Sequence, residues 1–248
     1  MARYGMVIDL DRCTGCRACM VACKVENNTP QGIFWMYVFR FEDGKFPDTR
    51  VRFMPRPCMH CENPPCTTAC PTGARYQRED GLVATDYETC IGTRYCHAAC
   101  PYGVNYFNWE EPAGRYYLDW GAPEASEVSA VTGGAVPPYD NPNLDLPYGT
   151  EQKGIAGGGH SQGVIEKCTF CVQRVENGQL PACAEVCPTN VIHFGDLDDP
   201  NSEVSKLLKE RSSFRLLEKF GTNPKVYYVG GAEPGPGFRE IEKVGGAT

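Results

Sequence analysis

Fifteen cysteines stand in this chain, and they stand in groups. The first group, CTGCRACMVACK, carries Cys13, Cys16, Cys19 and Cys23. The second, CMHCENPPCTTACP, carries Cys58, Cys61, Cys66 and Cys70. The third, CIGTRYCHAACP, carries Cys90, Cys96 and Cys100, with Thr93 where another thiol would complete the pattern. The fourth, CTFCVQRVENGQLPACAEVCP, carries Cys168, Cys171, Cys183 and Cys187. Every group ends in C-x3-C, and Pro71, Pro101 and Pro188 follow three of the groups. This is an internal repeat with loops of variable length.

Two residues between cysteines let one turn point thiolates and backbone amides into the same hole. Such a hole suits a cubane iron–sulfur cluster. The last cysteine of each group falls about one helical turn beyond the third, too far round for that hole. It serves a neighbouring cluster instead, as in two-cluster bacterial ferredoxins. The proline sets the chain direction on leaving the site. Paired CxxC knuckles also bind zinc, so a zinc-stabilised interaction module is the alternative from another class. Zinc gives no reason for C-x3-C-P after the x2 spacings. An odd cysteine count in tight loops argues against a disulfide framework.

Short runs rich in Val, Ile, Tyr and Phe flank the groups and predict strands at 4–10, 51–55, 82–86, 104–109 and 191–195, with another at 225–230. Short helices should carry the C-x3-C ends. The expected fold class is α+β: two bacterial-ferredoxin-like units with long loop insertions. The first unit is split between 1–49 and 164–200, and the second spans 50–110. Residues 111–163 form a loop-rich insertion with 10 Gly and 6 Pro. An insertion of this length suggests an interaction loop, anchored on a partner or on the parent domain by Tyr116, Tyr117 and Trp120. Residues 201–248 form a C-terminal helix and tail. The helix is expected over 201–221, with Ser202 as N-cap, Gly221 as stop, and Val204, Leu207, Leu208 and Leu217 on one buried face. The tail has too little apolar content to fold alone and is expected to wrap a neighbour.

The formal charge is −7, and residues 111–163 hold most of it, with seven acids against two bases. No basic stripe suits a nucleic acid. No stretch is long and apolar enough to span a bilayer, and YGMVIDLDRC is too short and acidic for a secretory signal. A soluble or peripheral protein is expected, with export requiring another chain. There is no Gly-rich phosphate loop and no nucleophile–base set, so no catalysis is expected from this chain by itself.

On these motifs the chain resembles the four-cluster ferredoxin-like electron-transfer subunits of molybdopterin-type membrane oxidoreductases. These include the dimethyl sulfoxide, nitrate and polysulfide reductases, formate dehydrogenase and alternative complex III. The resemblance covers residues 3–110 and 164–195. It implies that the first and fourth groups pair, and the second and third. Cluster one would use Cys13, Cys16, Cys19 and Cys187. Cluster two would use Cys168, Cys171, Cys183 and Cys23. Cluster three would use Cys58, Cys61, Cys66 and Cys100. Cluster four keeps only Cys90, Cys96 and Cys70. Thr93 is a poor iron ligand, so cluster four is expected as [3Fe–4S] beside three [4Fe–4S] clusters. A [4Fe–4S] cluster with water or the Thr93 oxygen on its fourth iron is the alternative. His97 and Arg94 are candidate neighbours of cluster four. Arg17 and Lys167 flank other ligand candidates, either offsetting cluster charge or simply solvated. His60 lies between Cys58 and Cys61, but its pattern does not match a Rieske site.

The function implied is an electron relay between a large molybdopterin-type or related subunit and a membrane-integral quinone-binding subunit. A multihaem cytochrome c is a further candidate donor. The Thr93 change is most similar to menaquinone-linked respiratory complexes, such as the quinone reductase complex of sulfate-reducing bacteria. Attachment is expected on the periplasmic side through co-export with a twin-arginine partner, with the cytoplasmic side as alternative. A stand-alone soluble polyferredoxin is the rival within redox chemistry.

Overall fold

Met6, Val7 and Ile8 are all fully buried, because the strand that holds them, β1 (Tyr4–Asp9), is interior to its sheet. The computed structural model describes residues 2–30, 32–110, 130, 141–157, 160–231, 233–234 and 239–240. Numbered in chain order, the other strands are β2 (Tyr37–Asp43), β3 (Arg50–Arg56), β4 (Arg75–Gln77), β5 (Val83–Thr85), β6 (Tyr106–Phe107), β7 (Ile165–Glu166), β8 (Ile192–Asp196), β9 (Ser213–Phe214), β10 (Val226–Val229) and β11 (Arg239–Glu240). The helices are α1 (Ala18–Asn27), α2 (Pro65–Thr68), α3 (Tyr95–Ala99), α4 (Val172–Val175), α5 (Ala182–Glu185) and α6 (Glu203–Glu210). The arrangement is α+β.

The main sheet runs β8-β1-β10-β9. β1 is antiparallel to β8, from Tyr4↔Asp196 to Ile8↔Ile192, and parallel to β10, from Met6↔Val226. Successive side chains of β1 face opposite ways. Met6 and Ile8 enter the principal core with Ile192, Val226 and Tyr228, while Val7 packs with Val204 of α6 and Val229 on the other face. Because β1 leads into the first cysteine group and β8 leaves the fourth, this pairing fixes both groups at one end of the sheet.

Three smaller sheets position the rest. β4 and β5 form a hairpin between the second and third groups. β6 leaves the third group and pairs with β7, which enters the fourth, through Tyr106↔Glu166. β2 and β3 pair antiparallel, with β11 on the outer edge of β2. α1 packs on α5, and α2 packs on α3.

All six expected strands form, although 104–109 is reduced to Tyr106–Phe107. The helix expected over 201–221 is shorter. Ser202 caps it as anticipated, its Oγ accepting from the Ser205 N–H at 3.2 Å, but α6 ends at Glu210. There Arg211 turns out to Asp9 (2.5 Å) and Asp11 (2.7 Å). Phe214 stacks on Tyr228 at 5.5 Å as β9 joins β10. The ion pairs and sheet edge outweigh another turn of helix. Leu217 therefore leaves the helical face, and Gly221, at φ 67, closes a short 3-10 turn at Glu218–Phe220. In the described part of the tail, Arg239 and Glu240 pair with Glu42 and Phe41 of the same chain. Tyr116, Tyr117 and Trp120 lie outside the described residues. Among the described residues no helix is long and apolar enough to cross a membrane.

Ser202→Ala removes the α6 cap and is expected to cost about 1 kcal/mol. The thermal midpoint of the native protein should fall by about 2–4 °C, as read by circular dichroism.

Candidate metal centres

No disulfide joins any of the 15 cysteines, and nine of them are buried. The local backbone repeats along with the spacing. In the first group Gly15 and Arg17 have φ 70 and φ 62; in the third, Gly92 and Arg94 have φ 69 and φ 62. In each group the helix begins one residue after that arginine, at Ala18 and at Tyr95. Thr93 therefore stands in the backbone position that Cys16 occupies in the first group. A side chain at Gly92 would drive its Cβ into the Gly163 carbonyl oxygen, so the turn is held against the strand pair behind it. After each C-x3-C-P the chain curls through Gly73, Gly103 or Asn190 at positive φ. The curl aims the Arg75 N–H at Cys70 Sγ (3.4 Å) and the Val191 N–H at Cys187 Sγ (3.3 Å). The Phe170 N–H does the same for Cys168 Sγ at 3.4 Å. Amide hydrogen bonds of this kind favour the thiolate.

The thiols fall into four neighbourhoods. Burial pushes the Cys19 thiol up to about 12, and the like charges of Cys13, Cys187 and Cys16 push the same way. Burial raises Cys183 well above the ordinary thiol range, and Cys171, Cys23 and Cys168 add to it. Cys61 is pushed up to about 12 by burial first, with Cys58, Cys66 and Cys100 contributing. A recess of about 330 Å³, open mouth included, is lined by Cys58, Cys61, Cys66 and Cys100. A second, of about 310 Å³, is lined by Cys70, Cys90, Cys96 and Thr93. Cys70 runs against the trend: burial raises its pKa, but the Arg75 N–H and the Thr72 hydroxyl outweigh that and lower it.

The flanking residues are placed as follows. Arg94 is exposed, lines the Thr93 recess, and stacks over Trp109 at 4.6 Å. His97 is also exposed; its Nδ1 meets the Asn105 carbonyl at 2.8 Å, and it does not line the recess. His60 is fully buried. Its Nδ1 accepts from the Val83 N–H at 3.1 Å, so Nε2 carries the proton and donates to the Cys168 carbonyl at 2.9 Å. Burial holds this ring well below the usual histidine pKa, and Lys167 and Lys225 reinforce the effect. His60 is a neutral tie between the second and fourth groups. Lys167 is buried, not solvated. Sequence reasoning missed Arg75, a buried cation whose Nη2 lies 3.7 Å from Cys96 Sγ. It sits on an ordinary hairpin strand, and nothing in its local pattern marks it.

Iron–sulfur clusters fit this donor set. The holes are walled by thiols and apolar side chains, and backbone N–H groups point at sulfur. Metal binding would supply the positive charge that thiolates buried together favour.

Such sites define an iron–sulfur protein of the ferredoxin type, built for electron transfer. Comparison with known proteins narrows this. A family model for a 4Fe-4S dicluster domain matches residues 49–115 and 146–197, and a second dicluster-domain model matches 12–74. A selenate reductase subunit of Mesobacillus selenatarsenatis is 42% identical, over 90% of this chain and 70% of its own length. The arsenate respiratory reductase iron–sulfur subunit of Shewanella sp. strain ANA-3 is 39% identical, over 92% and 96%. The menaquinone reductase iron–sulfur cluster-binding subunit of Nitratidesulfovibrio vulgaris is 37% identical, over 98% and 96%. The chain belongs to the iron–sulfur subunits of the molybdopterin oxidoreductase family.

Gly92→Ala is expected to displace the turn that carries Thr93 and to lower the iron content per chain. Gly154→Ala, which meets nothing within 4 Å, should leave the content unchanged. Metal analysis of the two purified variants makes the comparison.

Proposed function

We propose that this chain relays single electrons through three [4Fe–4S] clusters and one [3Fe–4S] cluster, between a large molybdopterin-type subunit and a membrane-integral quinone-binding subunit. When bound, the clusters supply the one-electron chemistry, and the protein supplies ligation, spacing and electrostatics. The ligand sets proposed are Cys13, Cys16, Cys19 and Cys187; Cys23, Cys168, Cys171 and Cys183; Cys58, Cys61, Cys66 and Cys100; and Cys70, Cys90 and Cys96. Proximity of the thiols supports each set.

The observation that carries the reading is Thr93. Its backbone repeats that of Cys16, and it faces the same recess as Cys70, Cys90 and Cys96. The hydroxyl offers no thiolate to a corner iron, so this set holds a three-iron cluster. One fewer iron and one fewer thiolate shift the potential within the wide range open to such clusters. We assign this end to quinone exchange.

Exposed apolar side chains support docked partners over a stand-alone polyferredoxin. Ile91, Tyr95 and Trp109 stand exposed around the Thr93 recess. Val21 and Val25 of α1, with Leu180 and Val186, stand exposed near the first and fourth groups, where we place the large subunit. A multihaem cytochrome c is a further donor on that side. The relative from N. vulgaris, a menaquinone reductase subunit, favours menaquinone as the quinone. We place the subunit on the periplasmic face, exported folded with a twin-arginine partner. Protease protection in intact cells tests that placement.

Metal analysis and electron paramagnetic resonance of the anaerobically purified complex test the relay. About 15 irons per chain and a three-iron signal in the oxidised state are expected. Thr93→Cys should replace that signal with a four-iron one and slow quinone turnover. An oxidised sample without a three-iron signal, with iron nearer 16, would overturn the Thr93 assignment. A colourless zinc-loaded protein unaltered by dithionite would overturn the whole reading.

A further inference from the structure

Two buried cations lie where the proposed cysteine sets approach one another. Lys167 is 1% exposed. Its Nζ donates to the Cys168 carbonyl at 2.9 Å and to the Val83 carbonyl. It also lines the recess of Cys58, Cys61, Cys66 and Cys100. It therefore touches both the second set, through Cys168, and the third. Arg75 is 2% exposed. It lines the recess of Cys70, Cys90 and Cys96, with Nη2 3.7 Å from Cys96 Sγ, while its Nε and Nη1 have no hydrogen-bond partner.

Among the described residues neither cation is paired with an acid. Burial opposes the charge on Arg75, and the groups that favour it are Cys96, Cys66, Tyr87 and Cys58. Lys167 is equally buried, with its Nζ against the Cys168 carbonyl and the recess of Cys58, Cys61, Cys66 and Cys100. The two cations also repel each other. Placing both in one low-polarity region is unfavourable unless anions stand between and beside them. Thiolate-ligated clusters are such anions, and each becomes more negative on reduction.

We propose that Lys167 and Arg75 are junction cations, Lys167 between the second and third cysteine sets and Arg75 between the third and fourth, each raising the reduction potential of both clusters it separates. The inference rests on the relay reading above. A cation in a low-dielectric site stabilises the reduced cluster more than the oxidised one. One electron enters a cluster from its neighbour and one leaves to the next, and no bond to cysteine is made or broken. The third cluster feels both cations and is raised the most by them. The first set, at Cys13, Cys16, Cys19 and Cys187, touches neither.

Redox titration of the anaerobically purified complex, followed by electron paramagnetic resonance with iron content as the loading check, reads this directly. Arg75→Gln should shift the three-iron couple and one four-iron couple to lower potential. Lys167→Gln should lower two four-iron couples and leave the three-iron couple in place. Arg75→Lys and Lys167→Arg, which keep the charge, should shift less than the glutamine variants. Unmoved midpoints in fully loaded Arg75→Gln would overturn the proposal. So would a three-iron shift in Lys167→Gln, which remains decisive even if Arg75→Gln fails to load. Charge-preserving variants that fall as far as the glutamine variants would overturn it as well. Fewer than four clusters in the unsubstituted protein would count against the relay reading instead.

Discussion

A thiolate removed from water needs a counter-charge, and nine of this chain's 15 cysteines are buried. Burial is the largest influence on Cys19, Cys23, Cys61, Cys66, Cys168, Cys171 and Cys183, and it raises every one of them. Neighbouring thiols raise most of them further, so each would resist ionising next to the others. Iron reverses that balance, because bonds to the metal offset both desolvation and repulsion. Much of the interior is lined by these sulfurs instead of by continuous aliphatic packing. Binding iron at these thiols would therefore add to the stability of the fold that gathers them.

Holding thiols in place before iron arrives falls to long-range pairings. β1 and β8 join the two ends of the cysteine-bearing chain, and α1 on α5 locks the first group against the fourth. The second and third groups meet through α2 on α3 and the β4–β5 hairpin. The halves are then tied together by β6 with β7 and by His60, which spans from the Val83 N–H to the Cys168 carbonyl. A neutral imidazole suits that position. A charged one would add a further cation beside Lys167, Lys225 and Arg75.

The polar interior has a second part around Glu166. Its carboxylate meets His160 Nδ1 at 2.7 Å and the Asn108 amide, while His160 Nε2 reaches the Asn27 carbonyl at 2.9 Å. Asn27 turns its own amide toward Cys23 and Cys171. This network links the end of α1 to β7 and fixes the approach of the fourth group. Glu166 Oε2 and Asn108 Oδ1 are buried without a hydrogen-bond partner among the described residues, so the network braces the sulfur-bearing turns through its other bonds.

Cysteine spacing made the kind of cofactor legible, because ligand geometry is local: a turn of fixed length can point only so many sulfurs into one hole. Six of the eleven strands were legible from short Val, Ile and Tyr runs; β2, β4, β7, β9 and β11 were not, because their place is set by the strands they pair with. The equivalence of Thr93 with Cys16 could be read from the spacing and reappears in matching backbone angles. The end of α6 could not be read, because its pattern continued past Glu210 while Asp9, Asp11 and Tyr228, remote in the chain, drew the backbone away. Arg75 and Lys167 were decided by tertiary structure alone. An arginine or lysine in sequence looks like any solvated charge, and only the packing of distant thiols around it makes it a buried one.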